Sequence, residues 1–218
     1  GIEVTVAEVI FGDYDATVRS FERAIQKNTK AIVCTHASNV TGEIMPIAKI
    51  GALCKERGIT FIVDAAQTAG VIPINMKEMN IDFLCIAPHK GLYAPMGVGI
   101  LIAEKEIPNV LIEGGTGVNS ALSIQPQEYP ERLESGTLNL PGIIGIGAGI
   151  DFLNSKGIKN MYEAEMELAG YLYNRLIRVS GCIIYTPFPE KYKYVPVVSF
   201  NIMGKPSVDV AYSLDRSN

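Results

Sequence analysis

The chain alternates between two textures. Apolar runs of strand length, "AIVCTH" (31–36), "TFIVD" (60–64), "DFLCIA" (82–87) and "GVGILIA" (97–103), are separated by stretches whose apolar residues recur at helical spacing. Strands alternating with helices imply a parallel α/β sheet flanked by helices rather than a bundle or a sandwich. "DATVRSFERAIQKNT" predicts a helix opened by Asp15, with Val18, Phe21 and Ile25 on one face. "PIAKIGALCKERG" predicts a second helix, opened by Pro46 and closed by Gly58. With its flanking strands it makes one βαβ unit, whose crossover should be right-handed. "AIVCTH" reads as a buried strand, and "DFLCIA" and "GVGILIA" as further core strands.

Further along, "PGIIGIGAGIDFLNSKG" and "NMYEAEMELAGYLYNRLIRV" predict two more helices, the second with Ala164, Leu168, Leu172 and Leu176 at a four-residue spacing. From about Gly181 the pattern changes, and "CIIYTP" and "YVPVVSFNIMG" read as strands of a different, smaller sheet. The expected organisation is a large domain over residues 1–170 and the beginning of a smaller α+β domain over 171–218, divided inside the long helix. The glycines of "GIIGIGAG" do not directly follow a strand, and no acidic residue stands at the ribose-binding distance, so a dinucleotide fingerprint does not fit. Close helix packing accounts for them.

Composition narrows the class. With 218 residues, 48% of them hydrophobic and 19% charged, the chain is ordinary for a globular protein able to bury a real core. A net charge of −4 without a basic run favours neither nucleic acid nor an anionic membrane as partner, and a small molecule fits better. Cys34, Cys54, Cys85 and Cys182 are widely spaced, with no CxxC or Cys/His cluster to suggest a metal. They read as reduced structural thiols, and with no leader or membrane-length apolar span the expected compartment is the cytoplasm. The chain starts at Gly1 without an initiator Met and stops just after a predicted helix, so the expectation is a central piece of a longer protein.

Ligands of open α/β sheets bind beyond the carboxyl ends of the strands. Asp64 ends "TFIVD", and His89 and Lys90 lie just past "DFLCIA", so an acid and a lysine from separate strands reach one edge of the sheet. From these residues alone, a plain ion pair and a cofactor site fit equally well.

The neighbourhood separates those readings. "SNVTGEIMPI", "VDAAQTAGVIPI", "HKGLYAPMGVG", "EGGTGVNS" and "ERLESGTLNLPGI" occur in an order and at spacings that resemble the class V aminotransferases, fold type I pyridoxal-phosphate enzymes. More narrowly, they are similar to the cysteine desulfurase and selenocysteine lyase branch. The resemblance implies that Lys90 holds pyridoxal 5'-phosphate as a Schiff base and moves protons at the substrate's α-carbon, while Asp64 keeps the ring nitrogen protonated. It further implies that Gln67 donates to the phenolate oxygen, that Asn39 lies near that oxygen and the substrate carboxylate, and that His89 reaches the phosphate. Thr137 corresponds to a residue that contacts the phosphate of a neighbouring subunit, so a homodimer with shared sites is implied; by itself, a Gly-Thr-x-Asn loop is ordinarily a turn and a helix cap.

The match has departures. Ala87 stands where the family often has a phosphate-binding Ser. His36 is not the family's ring-stacking histidine, which precedes this region; it is expected to end a strand beside the site. That histidine and a phosphate loop would precede Gly1, and the nucleophilic cysteine and the carboxylate-binding arginine would follow Asn218, so residues 1–218 alone are expected to be inactive. The implied activity is conversion of cysteine to alanine with sulfur passed to a thiolate, and the resemblance extends to a sulfur-acceptor protein as partner. A related class V aminotransferase, an epimerase, a lyase and an inactive scaffold are the alternatives.

Overall fold

The structure, a computed structural model, describes residues 1–110, 112–117 and 121–217. Val118, Asn119 and Ser120 of "EGGTGVNS", and Asn218, lie outside the described residues.

The first helix, α1, runs over Tyr14–Ala24. It is opened by Asp13 rather than Asp15: the Asp13 carboxylate accepts from Ala16 N at 2.8 Å, satisfying one of the unpaired donors of the first turn. Asp15 lies within the first turn and pairs instead with Lys49 Nζ at 2.6 Å on the surface. The helix also ends earlier than its apolar period suggests, because residues 26–29 close a turn in which the Thr29 hydroxyl accepts from Gln26 N at 2.8 Å. Phe21 is buried, with Val18 and Ile25 packed beside it.

Strand β1 (Ala31–Thr35), helix α2 (Ile47–Arg57) and strand β2 (Thr60–Asp64) form the expected βαβ unit, with α2 preceded by Pro46 and closed by Gly58. β1 and β2 are parallel, as are β2 and strand β3 (Phe83–Ile86). Strand β4 (Ile100–Ala103) completes the order β1-β2-β3-β4 but runs antiparallel to β3. The segment between β3 and β4 holds turns and no crossover helix, so the chain returns against its own direction.

Two strands are less buried than their apolar runs suggest. β1 buries Ile32 and Cys34 but leaves Val33 68% exposed, and the edge strand β4 leaves Leu101 and Ile102 exposed. An apolar run records what a strand tolerates on both faces; burial requires something packed on each. Here α1 and α2 cover one face, and Phe21, Ile50, Leu53, Cys54, Phe61, Val63 and Leu84 meet there. Side chains such as Phe61 and Ile50, both fully buried, each contribute about 1.5–3 kcal/mol.

Helix α3 (Leu140–Lys156) is capped by Asn139, whose side chain accepts from Gly142 N at 3.1 Å. Gly142, Gly145 and Gly149 pack closely, as expected, and a Cβ on Gly149 would overlap the carbonyl of Leu92, whereas Gly147 faces open space. Helix α4 (Ile158–Leu176) runs unbroken through residue 170. Its buried face is Tyr162, Met166 and Ala169, whereas Ala164, Leu168 and Leu172 point outward. Tyr162 is held on the buried face by partners for its hydroxyl, which donates to Tyr194 O and accepts from Tyr192 N, both at 2.8 Å. Strands β5 (Cys182–Ile184) and β6 (Phe200–Ile202) form the separate two-stranded antiparallel sheet, followed by helix α5 (Ser207–Asp215).

Candidate active site

The parallel register lines up three strand ends. Thr35 of β1 lies opposite Asp64 of β2, and Asp64 lies opposite Cys85 of β3. Residues just past these positions therefore emerge at one edge of the sheet. Past β1, the Ser38 hydroxyl accepts from Val40 N and Thr41 N at 3.2 and 3.1 Å, forming a turn that holds Asn39 exposed. Past β2, Ala65 O accepts from Thr68 N and Ala69 N, a helical turn that carries Gln67. Past β3, Lys90 N donates to Ala87 O at 3.1 Å, a turn that leaves His89 and Lys90 exposed.

Two of these turns interlock. Gly70, at φ +80°, lies so close to Gly91 that a Cβ on it would overlap the Gly91 carbonyl, and a Cβ on Gly91 would overlap the carbonyl of Ala69. No larger residue at either position permits that approach. The segment bearing Asp64 and Gln67 is thus packed, backbone to backbone, against the segment bearing His89 and Lys90.

Asp64 is exposed, and its Oδ1 accepts from Ala66 N at 2.9 Å. Among the described residues no ion pair joins Asp64 to Lys90, so the ion-pair alternative is not what the fold builds. Burial and then the Asp64 charge push the Cys85 thiol up, consistent with a carboxylate facing it across the register. An amine, a carboxylate with an oxygen left over, an amide and an imidazole on one open shelf suit a ligand with an aldehyde, a basic ring nitrogen and a phosphate.

Thr137 stands apart from this group. It is exposed beside a cavity of about 390 Å³ that it lines with residues 114–117 and Gly136, where Gly136 N donates to Gly115 O at 2.7 Å. Two residues on, Asn139 caps α3, so the turn-and-cap description of this loop holds for that residue. Within the described residues no hydrogen bond links Thr137 to the strand-end group.

Comparison with known proteins gives the decisive observation. The family model for class-V aminotransferases matches residues 1–218. The chain belongs to the class-V aminotransferase family. Among curated members it is 30% identical over 222 residues to a "Probable cysteine desulfurase" of Methanothermobacter thermautotrophicus, covering 100% of this chain and 54% of that protein. It is 36% identical over 195 residues to one of Pyrococcus abyssi, covering 87% and 48%. Among solved structures, an apo cysteine desulfurase from Thermococcus onnurineus superposes with a TM-score of 0.79 at 33% identity, over 92% of this chain and 50% of that one. The chain thus spans about half the length of the relatives it matches.

Two features of this class-V aminotransferase chain escaped the sequence reading. His36, expected to end a strand, does follow β1, but it is also 2% exposed and shares a 3.0 Å hydrogen bond between its Nδ1 and the Thr68 hydroxyl oxygen. Its backbone N donates to Asp64 O at 2.8 Å, so it bolts the end of β1 to the Asp64–Thr68 turn. The other is Tyr93, whose backbone N donates to Lys90 O and closes the lysine turn. Nothing in periodicity or spacing points to either.

Burial lowers the His36 pKa from 6.5 to about 4. Below pH 6.5 the unfolded chain takes up a proton that the folded protein refuses until about pH 4, so stability is lost as pH falls through that window. At 1.36 kcal/mol per unit the loss is about 3 kcal/mol. Urea unfolding of the wild type between pH 7 and 4 should show it, and His36→Asn should flatten the profile; an unchanged slope in the variant would assign the loss to another group.

Proposed function

We propose that the full-length protein is a pyridoxal-phosphate-dependent cysteine desulfurase that converts cysteine to alanine and passes the sulfur to a thiolate. What carries this reading is the interlock of Gly70 with Gly91, which packs the Asp64 turn against the Lys90 turn in a chain matched to the family along its whole length. Its similarity to cysteine desulfurases supports cysteine as the substrate.

When bound, pyridoxal phosphate supplies an electron sink for charge developing on the substrate. The chain's own groups do the rest. Lys90 Nζ attaches the cofactor and then carries a proton to and from the substrate's α-carbon. The Asp64 carboxylate holds the proton on the ring nitrogen, and Gln67 donates to the phenolate oxygen. Asn39 borders that oxygen and orients the substrate carboxylate. His89 donates to the phosphate, with more to do because Ala87 brings no hydroxyl. In the balance of the reaction, the carbon–sulfur bond of cysteine breaks, a sulfur–sulfur bond forms on the accepting thiolate, and a proton takes the place of sulfur on the β-carbon.

The accepting thiolate is neither Cys34 nor Cys54. Burial, the larger cause at both, raises their pKa values to about 12 and about 11, so each stays a thiol near neutral pH. Thr137 donates to the phosphate of a second subunit's cofactor, which makes the working unit a homodimer.

The test is to supply cysteine to the full-length protein with a reductant and measure alanine and sulfide together. Equal amounts of both are expected; turnover of cysteine without sulfide would favour a transaminase or other lyase of the same family. The same assay on mixed subunits examines the shared site. Lys90→Ala and Thr137→Ala subunits, each inactive alone, should regain activity in heterodimers that hold one site free of both changes, and no recovery would refute the sharing.

A further inference from the structure

The turn after Lys90 ends on a residue in an unfavourable conformation. Tyr93 has φ +54°, in the left-handed region where a Cβ crowds the backbone. Asn80 and Tyr192 share the property among the described non-glycine residues, but Tyr93 lies only three residues beyond Lys90. A strained residue persists where its surroundings over-determine it, and here they do so from three directions.

Its backbone N donates to Lys90 O at 3.0 Å, closing the turn, and the next residue, Ala94, donates to Pro88 O at 3.0 Å. Its ring meets Phe152 of α3 edge-on, with centroids 5.3 Å apart and planes at 70°. Its hydroxyl donates to Glu165 Oε1 of α4 at 3.2 Å. Burial and then the Glu165 charge raise the Tyr93 pKa, keeping the hydroxyl protonated as a donor requires. The neighbouring Leu92 carbonyl is pressed against Gly149 of α3, so the segment cannot slide along that helix. On its other flank the Lys90 turn is pinned at Gly91 by Ala69 and Gly70.

We propose that Tyr93 is a positioning residue for Lys90: anchored to Phe152 and Glu165, it holds the left-handed backbone that closes the lysine turn and so sets the reach of the Lys90 amine toward Asp64 and Gln67. The proposal rests on the reading of Lys90 as the cofactor lysine. Tyr93 touches neither cofactor nor substrate in this scheme; it acts through the turn. The helices α3 and α4, which contribute nothing to the chemistry directly, thereby determine where the amine stands.

The test follows cofactor loading rather than turnover. Full-length protein stripped of cofactor is mixed with pyridoxal phosphate; the growth of the visible band gives the loading rate, its pH titration gives a midpoint, and borohydride trapping with peptide mapping gives the site. Tyr93→Asn keeps a residue that tolerates the left-handed backbone but lacks both anchors, and it should load about tenfold more slowly with a displaced midpoint. Tyr93→Phe loses only the hydrogen bond, Glu165→Leu loses the acceptor together with its charge, and each should slow loading about threefold. Glu165→Gln retains an acceptor for the Tyr93 hydroxyl and should stay within about twofold of the parent. Loading of Tyr93→Asn and Tyr93→Phe at the parent's rate and midpoint, with the parent labelled on Lys90, overturns this proposal alone. A Glu165→Gln protein as slow as Glu165→Leu overturns it as well, because charge and not the hydrogen bond would then matter. A parent that takes no label on Lys90 overturns the cofactor reading and this proposal with it.

Discussion

Replacing Lys90 with Ala is expected to abolish the borohydride-stable pyridoxyl label and to lower turnover of the full-length protein by about 10³–10⁴-fold or more. In the proposed mechanism one amine does two things, attaching the cofactor and carrying a proton at the substrate's α-carbon, so its loss would remove both contributions together. The fold gives this expectation a sharp alternative. Lys90 leaves the carboxyl end of β3, whereas Lys105 follows β4, whose antiparallel register puts Ala103 opposite Phe83 at the other end of the same strand. There Lys105 Nζ pairs with Asp82 at 3.0 Å. Lys77 likewise lies on the turn leading into β3, where Met79 N donates to Asn75 O. A label found on Lys77 or Lys105 would therefore move the cofactor to the wrong edge of the sheet, and the assignment of Asp64, Gln67 and His89 would fall with that of Lys90.

Asp64→Asn should leave a folded protein that still binds pyridoxal phosphate yet turns over about 10²–10³-fold more slowly. The substitution is nearly isosteric, and the bond from Ala66 N to Oδ1 survives because an amide carbonyl accepts as a carboxylate does. Strand pairing at this position is carried by backbone atoms, including the bond from His36 N to Asp64 O, so stability should change little. Only the charge is lost. An amide cannot hold a proton on a basic ring nitrogen, and the electron sink weakens accordingly. Unfolding midpoints and cofactor affinity measured beside kcat separate the two cases: turnover within a few-fold of the parent would return Asp64 to a packing role.

The arrangement also explains how much of the candidate site was legible. Asp64 and the His89-Lys90 pair were readable because strand runs end visibly, and in a parallel sheet the ends of successive strands share an edge. Asn39 and Gln67 came only with the family resemblance, since one exposed amide in a turn resembles any other. Tyr93 and the bolt between His36 and Thr68 carried no signal, because their meaning depends on Glu165, Phe152 and Thr68, residues distant in sequence.

By itself, the sequence determined the elements that depend on local chemistry: α2 between Pro46 and Gly58, the runs that become β1 to β4, and the change of pattern that becomes the small sheet of β5 and β6. Capping residues, period and turn formers act within a few positions of one another and are therefore written in the linear order. Tertiary structure alone decided the direction of β4, the exposure of Val33, and the burial of Tyr162 and Met166 on α4 instead of Leu168 and Leu172. It also decided the meeting of Gly70 with Gly91. Each of these depends on what lies on the far side of an element, and hydrophobic burial is non-directional, so an apolar residue is committed to an interior but not to a partner.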